Sequence, residues 1–189
     1  MRVIAGKYRS RPLTAPRGLK TRPSSDRLRE TLFNVLSQRI AGARFVDLYA
    51  GSGAVGIEAL SREAEFVWFA ESAAAAIKTI RENLASLGIA EGFQIESKGA
   101  VALLESLARN SVAVDLIFLD PPYEEEKEYS RTLNFLGREG ARILADNARV
   151  IAEHRAKLDL AESYGELEHV RVLKQGDAAL SFYAKKPQV

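Results

Sequence analysis

The sequence predicts an α/β fold, a mostly parallel sheet with helices on both faces. Three observations carry this. Short apolar runs at residues 45–49, 66–71, 93–97 and 113–119 alternate with amphipathic stretches at 54–62, 73–87 and 100–109, the rhythm of successive strand–helix–strand units. A glycine-rich turn joins the first run to the first stretch. Near the end, Gly176 and Asp177 lie between a final pair of apolar runs, as a hairpin turn does, so the sheet closes with antiparallel strands.

Taken in order, residues 1–29 hold nine Lys or Arg and one acid, Asp26, for a net charge of +8; the rest holds 18 basic and 24 acidic residues, or −6. A basic arm on a mildly acidic body suggests a polyanionic partner engaged through one end. A solvated tail or a transit peptide are the alternatives, and Gly6, Pro12, Pro16, Gly18 and Pro23 would break the amphipathic helix that a transit peptide forms. Ser24, Ser25 and Asp26 offer capping oxygens to an entry helix of about four turns, on which Leu28, Leu32, Val35, Leu36 and Ile40 recur at helical spacing. The strand–helix alternation follows. Beyond residue 123 the periodicity predicts a helix over 129–138, a strand over 149–153, and the final runs at 170–174 and 180–184.

At 189 residues and 47% apolar, the chain is long enough for one main domain. No apolar run approaches a membrane span or a secretory signal, so a soluble, cytoplasmic protein is expected. With no cysteine, thiolate nucleophiles, disulfides and iron–sulfur clusters are excluded. That removes methyl transfer to pyrimidine carbon 5 and radical methyl transfer. Transfer to a nitrogen or oxygen lone pair needs neither.

The turn reads Asp47-Leu48-Tyr49-Ala50-Gly51-Ser52-Gly53-Ala54-Val55-Gly56. Its glycines satisfy G-x-G-x-x-G, and Glu71 follows Gly51 by 20 positions at the end of the next strand, where a carboxylate can bind ribose hydroxyls. A nicotinamide enzyme would show the same glycines. Asp47 turns the reading toward S-adenosylmethionine: a carboxylate there repels a pyrophosphate but favours the ammonium and sulfonium of that cofactor. Alternatively Asp47 is a strand-end residue bonding backbone amides.

The fourth run ends in Asp120-Pro121-Pro122-Tyr123, on the sheet edge that carries the glycines. An exocyclic base amine is a poor nucleophile because its lone pair is delocalised into the ring. Acceptors from the Asp120 carboxylate and the Pro121 carbonyl would favour a pyramidal nitrogen and stabilise the charge that develops during attack on a sulfonium methyl. The prolines stiffen the loop while leaving carbonyls to accept. Tyr123 would stack on the base, worth about 1 to 3 kcal/mol. The structural alternative is that the prolines merely end a strand. His154 and His169 are read as structural, since after attack the nitrogen is acidic enough to lose its proton to water or Asp120.

With these residues in place the chain resembles the bacterial family of Asp-Pro-Pro-Tyr methyltransferases that acts on N2 of a guanine in 16S ribosomal RNA. The likeness runs through Arg2 to Tyr8, Leu19 to Glu30, Asp47 to Arg62 and Asp120 to Tyr123, and again at Glu153-His154 and Gly176-Asp177. It implies the class I S-adenosylmethionine-dependent methyltransferase fold, Rossmann-like, with a mostly parallel seven-stranded sheet and an antiparallel C-terminal strand pair. Residues 1–23 would be an RNA-binding arm and 24–189 the methyltransferase domain. Asp47, Ala50, Gly51, Ser52, Gly53, Glu71, Ser97 and Asp120 would bind cofactor; Asp120, Pro121 and Tyr123 would serve catalysis; Arg2, Lys7, Arg9, Arg11, Arg22, Pro122 and Tyr123 would meet substrate. The partner would be 16S ribosomal RNA or a small-subunit assembly particle, with no metal and a monomeric enzyme. Where relatives carry an acid for the cofactor's adenine amine, this chain reads Ser97-Lys98-Gly99-Ala100, leaving that contact to backbone atoms or Ser97. A DNA or RNA adenine-N6 methyltransferase shares the motifs, but 189 residues leave little room for a separate target-recognition segment. A noncatalytic RNA-binding protein would not need Asp120 to Tyr123 intact.

Overall fold

The computed structural model describes residues 1–16, 24–122 and 124–186. The chain divides into two compact units, Met1–Gly99 and Ala100–Val189.

The first unit opens with a small hairpin, closed by an antiparallel bridge between Arg2 and Pro12 and by Val3 N donating to Arg11 O at 3.0 Å. Helix α1 (Ser24–Val35) follows. Leu28, Leu32 and Phe33 are buried on it, while Leu36 and Ile40 are buried in the turns beyond its end, so the helix is shorter than the four turns expected. Then come β1 (Arg44–Leu48), α2 (Ala54–Ser61), β2 (Phe66–Ala70), α3 (Ala74–Ser86) and β3 (Phe93–Glu96). The strands lie in the order β3-β2-β1, all parallel. Leu48 pairs with Ala70 and Ala70 with Glu96. The strand ends are therefore level, and the glycine turn, Glu71 and Ser97 leave the sheet along one edge. Phe45, Val46, Leu48, Val67, Phe69 and Ala70 are all fully buried, as strands covered on both faces require.

The second unit contains α4 (Ala100–Arg109), β4 (Val114–Leu119), α5 (Glu126–Leu136), β5 (Leu144–Arg155), β6 (Ser163–Tyr164), β7 (Leu167–Gln175) and β8 (Ala178–Lys185). Its strand order is β4-β5-β8-β7-β6. β4 and β5 are parallel; β8 is antiparallel to both β5 and β7, and Gly176-Asp177 makes the expected turn. Several boundaries differ from expectation, β7 for one beginning at Leu167 rather than at residue 170. α5 begins a turn early, with Glu126 and Glu128 in its first turn, where acids suit the positive end of the helix dipole. β5 begins at Leu144, which pairs with Val114 ahead of a register shift in the ladder to β4, and Asp146 and Asn147, polar and exposed, hide this part of the strand. β6, two residues long, shows no periodicity and makes the described strands eight rather than seven. No described helix is long and apolar enough to cross a membrane.

Candidate active site

The glycine turn is built from both ends. Gly56, in the first turn of α2, faces β2 so closely that a Cβ there would collide with the Phe69 ring and a Val67 methyl; the third glycine of the motif is a packing requirement. Gly51 differs. Its φ is +56°, and an added Cβ would find only Tyr49 O, 4.0 Å away, so the space above it is open to a ligand.

Gly53 caps α2 without a side chain to bond its amides. Asp47, 1% exposed, supplies the missing acceptor: its Oδ2 takes the Gly56 amide at 2.8 Å. The carboxylate thus satisfies an orphan donor and faces the positive end of the helix. Glu71, half-buried, accepts from Gly51 N at 2.9 Å through Oε2 and from Ser72 N and Ala73 N at 2.8 Å through Oε1. Three of a carboxylate's about four acceptor positions are taken, which holds the turn against β2 and leaves room for one further donor. Ala50, buried, donates its amide to Ala70 O at 3.0 Å. This rim of acceptors beside an open glycine suits a cationic ligand carrying hydroxyls. It does not suit a pyrophosphate.

At the end of β3, Ser97 is exposed. The acid on this strand is Glu96, whose Oε1 accepts the Lys98 amide at 2.8 Å. Gly99 has φ +87° and lies beside Ser72 Cβ. Glu96 is not singled out by the sequence motifs, although its place as the last residue of β3 is a signal.

In the second unit, Asp120 is half-buried where β4 ends; Pro121 is buried and Pro122 exposed. The Pro122 carbonyl accepts Glu125 N at 2.8 Å, closing the turn that opens α5. Glu124, Glu125, Glu126, Lys127, Glu128 and Arg155 line an open cavity of about 780 Å³. Its acidic walls repel phosphates. Tyr123 and Arg22 lie outside the described residues.

Arg2, Lys7, Arg9 and Arg11 are exposed on the N-terminal hairpin, and the hairpin itself is fastened down. Glu58, fully buried on α2, accepts Ile4 N at 2.7 Å and Ala5 N at 3.0 Å, while Arg62 Nε donates to it at 2.8 Å. Arg29, also buried, reaches Arg2 O and Asp26; burial pulls its pKa below the ordinary value, against the attraction of Asp26 and Glu58. Ser61 Oγ donates to Ala5 O and accepts Tyr8 N, and Ser61 O, at the C-terminus of α2, accepts Lys7 N at 2.7 Å. Asn83 on α3 bonds both backbone groups of Thr14. Sequence reasoning gives Glu58, Ser61 and Asn83 no role. The available signal is a polar residue on an apolar stripe: Asn83 falls three positions after Ile80 and one before Leu84, both buried.

His154 is buried, with Nδ1 2.9 Å from Arg155 O and Nε2 2.8 Å from Ser181 Oγ. A carbonyl only accepts, so Nδ1 carries the proton and Nε2 accepts from the serine hydroxyl. Both ring nitrogens are used structurally. Among the described residues no group of acids and histidines could hold a metal.

Residues 1–184 match the model of a family described as Conserved hypothetical protein 95. The chain belongs to this family. Relatives extend over the whole length. The putative rRNA methyltransferase YlbH of Bacillus subtilis is 35% identical over 98% of this chain and all of its own. Ribosomal RNA small subunit methyltransferase D of Escherichia coli is 32% identical over 100% of this chain and 91% of its own. Among solved structures, a putative methyltransferase, yhhF, from Escherichia coli superposes with a TM-score of 0.84 at 34% identity, covering 100% of this chain and 99% of that one. The protein is a methyltransferase with the Rossmann-like class I fold.

Proposed function

We propose that the protein transfers a methyl group from S-adenosylmethionine to the exocyclic N2 of a guanine in 16S ribosomal RNA. The observation that carries this reading is the match over essentially the full length to a small-subunit ribosomal RNA methyltransferase, in a chain that retains Asp120-Pro121-Pro122-Tyr123. When bound, S-adenosylmethionine supplies the electrophilic sulfonium methyl.

The chain's own residues do the rest. Gly51 offers open space and Glu71 would use its remaining acceptor for the ribose hydroxyls; Asp47, Ala50, Ser52 and Gly53 would hold the turn in shape around the cofactor, and Ser97 with Glu96 would offer acceptors to the adenine amine. Asp120 accepts a hydrogen of the target amine, the Pro121 carbonyl accepts the other, and the charge that grows on nitrogen is met by the carboxylate. Pro122 and Tyr123 hold the base. Residues 1–23 act as the RNA-binding segment, with Arg2, Lys7, Arg9, Arg11 and Arg22 on phosphates, and the acidic stretch 124–128 keeps phosphates away from the cavity it lines. The enzyme works as a monomer on 16S RNA or on a small-subunit assembly particle.

The test uses purified protein and methyl-labelled S-adenosylmethionine offered 16S RNA, free and in small-subunit assembly particles, 23S RNA and duplex DNA. Label entering 16S RNA as N2-methylguanosine supports the reading. Label appearing as N6-methyladenine in DNA or RNA would replace it with the adenine-N6 alternative, and no incorporation by wild type would overturn both.

A further inference from the structure

We infer that Asn83 is a positioning residue that ties the basic hairpin to the glycine turn, so that the seating of the hairpin sets the affinity of the turn for the methyl donor. The inference rests on the assignment of that turn proposed above.

The Asn83 side chain is 2% exposed. Its Oδ1 accepts Thr14 N at 2.8 Å, and its Nδ2 donates to Thr14 O and to Ser52 O, both at 3.0 Å. One amide therefore pairs with both backbone groups of the residue that leaves the hairpin, as a neighbouring strand would. Its last proton goes into the cofactor turn. Ser52 stands between Gly51 and Gly53, whose φ angles are +56° and +77°. These two glycines leave the intervening peptide with few conformational restraints, so a carbonyl fixed from outside matters more there than in an ordinary loop. A second contact joins the same elements, Ser52 Oγ to Met1 Sδ at 3.8 Å. Asn83 occupies the apolar stripe of α3, where burying an amide is costly unless it is bonded. The bonds its side chain makes run outward, to Thr14 and Ser52.

The direction of effect follows from the chemistry. Asn83→Asp keeps the acceptor for Thr14 N and loses both donors; Asn83→Ala loses all three bonds. Leu13→Ala loosens the hairpin one residue before Thr14, at a side chain buried to 6% exposure, and leaves the three bonds of Asn83 their donors and acceptors.

Affinity for S-adenosylhomocysteine is measured by calorimetry on the full chain, with thermal unfolding as the check on folding. Each Asn83 variant should bind about three- to tenfold more weakly than wild type, the range expected for a lost hydrogen bond. Leu13→Ala should weaken binding when Asn83 is present and have no further effect in the Asn83→Ala chain, because both act through one tie. Should Asn83→Ala not fold, Asn83→Asp takes its place in the cycle. A variant that lowers stability elsewhere in the same unit, Ile89→Ala, should leave affinity unchanged. Asn83 variants that bind as tightly as wild type, or a Leu13→Ala effect equal in both backgrounds, would overturn the tie alone. A wild-type chain that binds no S-adenosylhomocysteine would overturn the site assignment along with it.

Discussion

Asp120 and Glu71 are expected to fail in different ways when changed. In the proposed site Asp120 accepts a hydrogen of the target amine, so Asp120→Ala should abolish methyl transfer while S-adenosylhomocysteine still binds; comparable turnover by the variant would remove Asp120 from the chemistry. Glu71→Gln keeps the shape but loses the charge that holds Gly51 N, Ser72 N and Ala73 N. A charge-assisted hydrogen bond contributes roughly 1.5 to 3 kcal/mol, so cofactor affinity should fall at least about tenfold; calorimetry showing no change would mean that Glu71 supports cofactor binding neither directly nor through the turn. His154 bears on stability instead. Burial lowers its pKa below the ordinary 6.5, so on acidification the unfolded chain takes up the proton first. Its contribution is fully present above about pH 6.5 and declines as the pH falls toward the folded value. His154→Gln should flatten that decline, measured as urea midpoints at about pH 8 and about pH 5. The same decline in both proteins would show that His154 does not cause it.

Among the elements, the hairpin departs furthest from what composition suggests. Nine basic residues against one acid in residues 1–29 read as a basic arm attached to the body at one end. Glu58, Ser61 and Asn83 instead hold residues 4–14 by backbone atoms, which composition does not reveal because backbone partners carry no sequence signature. The four exposed cations are thereby presented from a fastened hairpin, with less conformational freedom to lose when they meet phosphates. Replacing Arg2, Lys7, Arg9 and Arg11 by Gln should reduce the slope of log affinity for 16S RNA against log salt by about three, at roughly 0.7 to 0.9 per phosphate contact. Equal slopes would show that these side chains meet no phosphate. Elsewhere the element order is legible because the buried strands are largely apolar runs and each of α2 to α4 has a glycine turn at one end; β6 and the start of β5 are not, being too short and too polar to show a period.

For the molecule as a whole, the chemistry is more legible than the supports beneath it. Gly51, Gly53, Glu71 and Asp120 stand out because each follows an apolar run at a strand end, where the ligand contacts proposed for them would call for particular residue types. For Asp47 the sequence offers two uses, a cofactor partner and a carboxylate on a backbone amide, and the Gly56 contact provides the second; the two are compatible, since a capping carboxylate keeps its negative charge. Glu58 and Asn83 cannot be assigned from spacing, because their hairpin partners lie 53 to 69 positions away. The role proposed for Asp120 to Tyr123 turns on which atom is modified, and mass spectrometry of nucleosides from the small-subunit ribosomal RNA of cells with and without the gene reads that atom itself. One N2-methylguanosine should disappear with the gene and return with the wild-type chain but not with Asp120→Ala. N2-methylguanosine unchanged by deletion, or loss of N6-methyladenosine in its place, would contradict the assignment.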